Sequence, residues 1–156
     1  MNEKRTPVNQ IQLQIRDDEQ NKDAIIFLHF GGANLMVWQR VMPMFQDQYR
    51  LILVDLRGHG RSDKPATGYH IDTMASDVVG VMDHLNLAQA HVIGSSLGAE
   101  VGLSLAANYH DKVISLVCDG ALESEYGLYS TWDGTEAEFE AHVAQHLDNI
   151  RDMPEP

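Results

Sequence analysis

Cysteine is almost absent from this chain. Cys118 is the only one among 156 residues, so no intramolecular disulfide is possible. It sits inside an apolar run, which predicts a buried, inert thiol. Long hydrophobic runs are lacking too: no stretch approaches the roughly 18 apolar residues that span a bilayer. The first seven residues, MNEKRTP, are charged but have no apolar core behind them, so no signal-peptide pattern is present and the expected compartment is cytoplasmic, with no membrane partner. Basic residues are scarce, 11 against 23 acidic, for a net charge of −12. A surface of that sign repels nucleic acid, which excludes it as a partner class. Internal repeats and low-complexity tracts are also missing.

What is present is ordinary globular composition, 44% hydrophobic, in a chain long enough to bury a core. The opening residues 1–7 read as a frayed polar end. Residues 11–15 (IQLQI) alternate apolar and polar, which predicts a half-exposed strand, with a polar turn over 16–23. Residues 24–28 (AIIFL), 51–54 (LILV), 90–93 (AHVI) and 112–118 (KVISLVC) read as strands buried on both faces. Between them lie helical patterns. One covers 35–46, capped by Asn34 and interrupted by Pro43. A second covers 71–87, capped by Asp72 or Thr73, with Met74, Val78, Val81, Met82 and Leu85 at helical spacing. A third runs from Leu97 to about Tyr109. Strands alternating with helices predict an α/β fold, a mostly parallel sheet in a three-layer α/β/α arrangement. Residues 1–120 form the core on this reading. Residues 121–156 change character and begin a second region, with an acidic amphipathic helix over 134–151 carrying Phe139, Val143, Leu147 and Ile150 on one stripe.

The segment that carries chemistry is Gly94-Ser95-Ser96-Leu97-Gly98, a G-x-S-x-G pattern between a buried strand and a helix. A serine on that sharp turn is presented above the sheet, and the helix behind it aims its positive end at the negative charge that develops in acyl transfer. Ser96 holds the central position; Ser95 is the competing hydroxyl. An oxyanion hole needs two converging N–H groups. Leu97, next to the nucleophile, supplies one. The Gly-rich loop His29-Phe30-Gly31-Gly32 after the first buried strand suits the other, because the backbone must come close to substrate. The loop from Asp55 to Ser62 has no evident reactive role, and His59, between two glycines, reads as a residue that fixes the loop by hydrogen bonding.

In this order and spacing these elements resemble the α/β-hydrolase fold superfamily, most nearly its esterase, perhydrolase and haloperoxidase-like branch. The resemblance runs from about Ile11 to Gly120. It rests on Phe27-Leu28-His29 with Trp38 following, on Asp55-Leu56-Arg57-Gly58-His59-Gly60-Arg61-Ser62, and on the Gly94–Gly98 pentapeptide. It implies Ser96 as catalytic nucleophile and the N–H groups of Gly31 and Leu97 as oxyanion donors. Family members commonly have glycine directly after the histidine; Phe30 stands there in this chain, reshapes the pocket and leaves Phe30 or Gly31 as the second donor, with Gly31 favoured by the resemblance. Relatives that open epoxides or displace halide use aspartate at the elbow, so serine points to acyl, ester-like small molecules as substrate.

The family order is serine, then acid, then histidine. The acid is expected either at Asp119, after the fourth buried strand, or beyond the next strand. The histidine is expected past residue 156, so the fold reads as a truncated α/β-hydrolase. His110, His142 and His146 read as surface residues. The i, i+4 pair His142/His146 lacks the glutamate of a zinc-hydrolase motif, so no metal and no organic cofactor is implied. Such a chain is expected to work with a complementing C-terminal segment, or to bury its open sheet edge in an oligomer. The alternatives are an inactive fragment or interaction module, and one half of a split hydrolase.

Overall fold

The structure, a computed structural model, describes residues 1–120. The expected second region at 121–156, with its amphipathic helix, His142 and His146, lies outside the described residues. Six strands form one sheet: β1 (Asn2–Val8), β2 (Ile11–Asp17), β3 (Ala24–Leu28), β4 (Arg50–Val54), β5 (Ala90–Ser95) and β6 (Val113–Asp119). Their spatial order is β1-β2-β4-β3-β5-β6. The pairings of β3 with β4, β3 with β5 and β5 with β6 are parallel. The first two strands add an antiparallel margin through β1–β2 and β2–β4. This is the expected mostly parallel α/β sheet.

Its two faces bury different residues because side chains alternate along a strand. Ala24, Ile26 and Leu28 of β3 face one side, with Ile52, Val54, Ala90 and Val92. Helices α1 (Ile71–His84) and α2 (Leu97–Asn108) cover that side. From α1 come Met74, Val78, Val81 and Met82, all at most 3% exposed; each such side chain contributes about 1.5–3 kcal/mol by leaving water. The other side buries Ile25 and Phe27 with Leu35, Trp38, Leu51 and Leu53. No helix among the described residues is long and apolar enough to cross a membrane.

Several expectations change. The frayed end is instead β1, paired with β2 from Asn2↔Asp17 to Val8↔Ile11. Thr6 and Val8 are buried beneath it, and the ion pairs Lys4–Glu19 and Arg16–Glu3 hold its polar side. β2 is more buried than its alternation suggests: Gln14 and Asp17 lie inside with Leu13 and Ile15, because Asp17 meets the Arg50 guanidinium at 2.7 Å. The segment from 35 is not one helix but two 3-10 turns, Leu35–Arg40 and Met42–Met44, with Pro43 in the second. Asn34 does cap the first, its side chain accepting from Met36 N–H at 2.9 Å. α1 starts at Ile71 behind His70, whose side chain makes no cap bond, so neither Asp72 nor Thr73 caps it. β6 is not buried among the described residues. Its Ile114 and Val117 are exposed, because among the described residues it is the outer strand of the sheet. Cys118 is exposed for the same reason; partial burial still raises its thiol pKa, with Sγ 3.9 Å from the Ala99 carbonyl.

Candidate active site

The turn between β5 and α2 is one residue long, and that residue is Ser96. Its backbone sits at φ +48°, ψ −114°, a region that costs a non-glycine residue on the order of 1–3 kcal/mol. The surroundings hold it there. Ser96 N–H donates to the Asp119 carbonyl at 2.8 Å, and the Ser96 carbonyl accepts from Ala99 and Glu100 N–H at the start of α2. The flanking glycines are required by close approach. A Cβ on Gly98 would overlap the Leu28 carbonyl oxygen at the end of β3, and one on Gly94 would overlap the Gly98 carbonyl. With the backbone of Ser96 fully engaged and its side chain half-buried, its Oγ has no hydrogen-bond partner among the described residues.

The loop after β3 lies alongside. A Cβ built on Gly31 would sit 3.9 Å from both Cβ and Cδ2 of Leu97, so Gly31 and the first residue of α2 are neighbours. Phe30 carbonyl accepts from Ala33 N–H at 3.2 Å, closing a turn over residues 30–33 in which Gly32 takes φ +77°. Among the described residues neither Gly31 N–H nor Leu97 N–H meets a protein acceptor. Phe30 itself is exposed, at 43%.

The histidine at the head of this loop is fully buried. Its Nδ1 lies 2.8 Å from the Phe30 carbonyl, and its Nε2 accepts from Leu56 N–H at 3.0 Å. Burial pushes the pKa of His29 down; the bond to the Phe30 carbonyl opposes this, the neighbouring His59 adds to it, and Asp55 opposes it. His59 packs its ring 5.1 Å from that of His29 and bonds the Arg57 carbonyl through Nδ1, which gives it the loop-fixing part expected of it. Neither ring is bonded to Ser96. His110 is exposed and paired with Asp111. Asp119 is beside the elbow, but its carboxylate takes the Ser95 hydroxyl at 3.2 Å rather than a histidine.

Sequence reasoning missed the residues that brace these loops. Asp55, buried at the end of β4, accepts from Leu35 N–H at 2.6 Å and from Arg61 N–H at 2.8 Å. Arg57 makes a buried two-point bond with Asp77 of α1, at 2.7 and 2.8 Å, and reaches the Gly68 carbonyl. The signal was an aspartate and an arginine in a glycine-rich loop, which needs partners as soon as the loop is buried. A cavity of about 480 Å³ is lined by Glu3, Arg16, Asp55 and Arg61 among others. Glu3 binds both arginines, and Ser96 is not part of that cavity. Among the described residues no group of three or more His, Cys, Asp or Glu is arranged to hold a metal ion.

The model of the α/β hydrolase fold matches residues 23–153. The chain belongs to the α/β hydrolase fold family. Over 92 residues the hydrolase-fold chain is 39% identical to 3-oxoadipate enol-lactonase 2 of Acinetobacter baylyi, a match spanning 59% of this chain and 34% of that protein. Over 114 residues it is 36% identical to 2-(acetamidomethylene)succinate hydrolase of Mesorhizobium japonicum, covering 73% of this chain and 41% of the relative. The crystal structure of the enol-lactonase from Burkholderia xenovorans superposes with a TM-score of 0.70 at 30% identity, over 72% of this chain and 45% of that one. The hydrolase-fold chain thus matches less than half the length of these relatives.

Proposed function

We propose that this chain is the nucleophile-bearing portion of a serine hydrolase acting on acyl, ester-like small molecules. The observation that carries the reading is Ser96 itself: a serine held at positive φ between β5 and α2, its Oγ unpartnered, with Gly31 beside Leu97. Ser96 Oγ attacks the substrate carbonyl. The N–H groups of Gly31 and Leu97, neither donating to a described protein acceptor, stabilise the oxyanion, and the N-terminal end of α2 adds its dipole. The base takes the Ser96 proton and passes it to the alcohol that leaves as the ester C–O bond breaks; water then hydrolyses the acyl-enzyme to the acid and frees Ser96. The names of the two relatives above, a lactonase and a hydrolase, support cleavage of an acyl bond.

Attack by a hydroxyl needs a base. His29 has both ring nitrogens bonded elsewhere, and among the described residues no histidine bonds Ser96. The base therefore comes from outside the described residues. Asp119 remains the candidate acid within reach of the elbow, on condition that it exchanges its Ser95 bond for a histidine.

A fluorophosphonate probe tests the nucleophile. In the full polypeptide it should label Ser96 as the sole site, and Ser96→Ala should abolish labelling. Labelling that persists in Ser96→Ala, or none in the unmutated protein, refutes the assignment.

A further inference from the structure

We infer that His29 is a positioning residue that aims the Gly31 N–H, acting as a clamp with one fixed tautomer; this rests on the hydrolase reading above. A neutral imidazole has one donor and one acceptor nitrogen. The Phe30 carbonyl can only accept, so Nδ1 carries the proton. Leu56 N–H can only donate, so Nε2 is bare. The two partners admit one tautomer and leave neither nitrogen for any other work.

The consequence lies one bond further on. Phe30 and Gly31 share a peptide plane, and no peptide bond among the described residues is cis. In a trans peptide the C=O and the N–H point in opposite directions. The Phe30 carbonyl is drawn to the buried His29 ring and to Ala33 N–H. The Gly31 N–H is thereby turned away from the buried ring, and Gly31 itself lies against Leu97. Without the Nδ1–H bond only the 3.2 Å turn bond from Ala33 restrains the plane. Glycines at 31 and 32 leave the turn free to rotate. A rotated peptide replaces the oxyanion donor by a carbonyl oxygen, which repels the intermediate.

The bond to Leu56 does the second half of the work. It anchors the ring to the loop after β4, which Asp55 and the Arg57–Asp77 pair brace in turn. The ring is fully buried and packs on His59, so it has no freedom to follow a moving loop.

Two substitutions separate the halves. In His29→Asn the side-chain amide N–H replaces Nδ1–H toward Phe30, with nothing left for Leu56. In His29→Gln the amide oxygen replaces Nε2 toward Leu56, with nothing left for Phe30. In the full polypeptide, steady-state ester hydrolysis is measured for both, beside thermal midpoints and nitrogen NMR of the His29 ring and the Gly31 amide. His29→Gln should lose kcat toward the ~10²–10³-fold of a deleted oxyanion donor, with KM nearly unchanged. His29→Asn should keep at least ~10-fold more kcat than His29→Gln, even where it melts lower. The ring of the unmutated protein should show its proton on Nδ1, and the Gly31 amide resonance should move in His29→Gln. A proton on Nε2, equal kcat in the two variants, or losses that simply follow the thermal midpoints overturn the clamp. Absence of both turnover and Ser96 labelling in the unmutated protein overturns the hydrolase reading instead, and the ring and Gly31 resonances still decide the clamp.

Discussion

Two glycines in the same site are required for different reasons, and alanine tells them apart. At Gly98 a Cβ would run into backbone, the carbonyls of Leu28 and His29, so relief requires the elbow to move away from β3. Gly98→Ala should cost about 1–3 kcal/mol or more, as overpacking against a rigid wall does, and should displace Ser96 with it. At Gly32 nothing lies within 4 Å, and only the φ of +77° opposes a side chain. Gly32→Ala should cost about 1–2 kcal/mol, the left-handed penalty alone. Urea unfolding of both variants checks the order, and probe labelling should fail in Gly98→Ala well before the protein unfolds. His29 makes a prediction of opposite kind, through protons. Its folded pKa is depressed from the ordinary 6.5 because burial disfavours the charged ring. As pH falls below about 6.5, the unfolded chain takes up a proton that the folded ring refuses. The contribution of His29 is therefore whole above that pH and declines as pH drops from there toward the folded pKa. Urea midpoints at pH 7.5 and 5.5 should fall further apart in the unmutated protein than in His29→Gln; an equal difference contradicts a buried neutral ring.

The helices and strands show what a local pattern can and cannot announce. β3 was legible to the residue, since AIIFL has no polar face and is 0–3% exposed throughout. α1 was legible from Met74, Val78, Val81 and Met82, whose spacing needs no partner to be recognised. The elbow was legible because its glycines and serine are a local demand of one turn. β1 was not, because NEKRTPV becomes a strand only through β2 and through charges that meet it from Glu19 and Asp63. The bracing of α1 was hidden for the same reason: Arg57 and Asp77 are 20 residues apart and neither belongs to a motif that names the other. Their side chains are 6% and 1% exposed, and Asn9 also donates to Asp77. Breaking a buried pair from one side strands the other charge, a loss of about 3–5 kcal/mol. Asp77→Ala should lower urea stability by that much, whereas the exposed pair Arg61–Glu3 should change it by under about 1 kcal/mol in Arg61→Ala. Similar losses at the two sites would mean that the loop after β4 is not anchored through α1.

At the scale of the molecule, the elbow, the Gly31 turn and His29 with its Leu56 anchor stand at the ends of three neighbouring strands, β5, β3 and β4, so one sheet end assembles the groups that the proposed reaction would use. On the proposed reading the base lies outside the described residues, and the two contributions separate experimentally. A serine enzyme that keeps its oxyanion donors but has no base retains roughly 10³–10⁴-fold acceleration over water, far below the intact enzyme. The 156-residue chain on its own should therefore hydrolyse an activated aryl ester at that residual level, and Ser96→Ala should change the rate little, because an unactivated hydroxyl contributes little. The longer polypeptide, or this chain with its C-terminal segment added in trans, should be faster by several orders of magnitude and should become dependent on Ser96. The decisive quantity is the ratio of unmutated to Ser96→Ala turnover in each setting. A ratio near one for the chain alone and large for the completed protein places the base outside residues 1–156. A large ratio for the chain alone would mean that a histidine within these residues already serves Ser96, and the assignment of the missing base would fall.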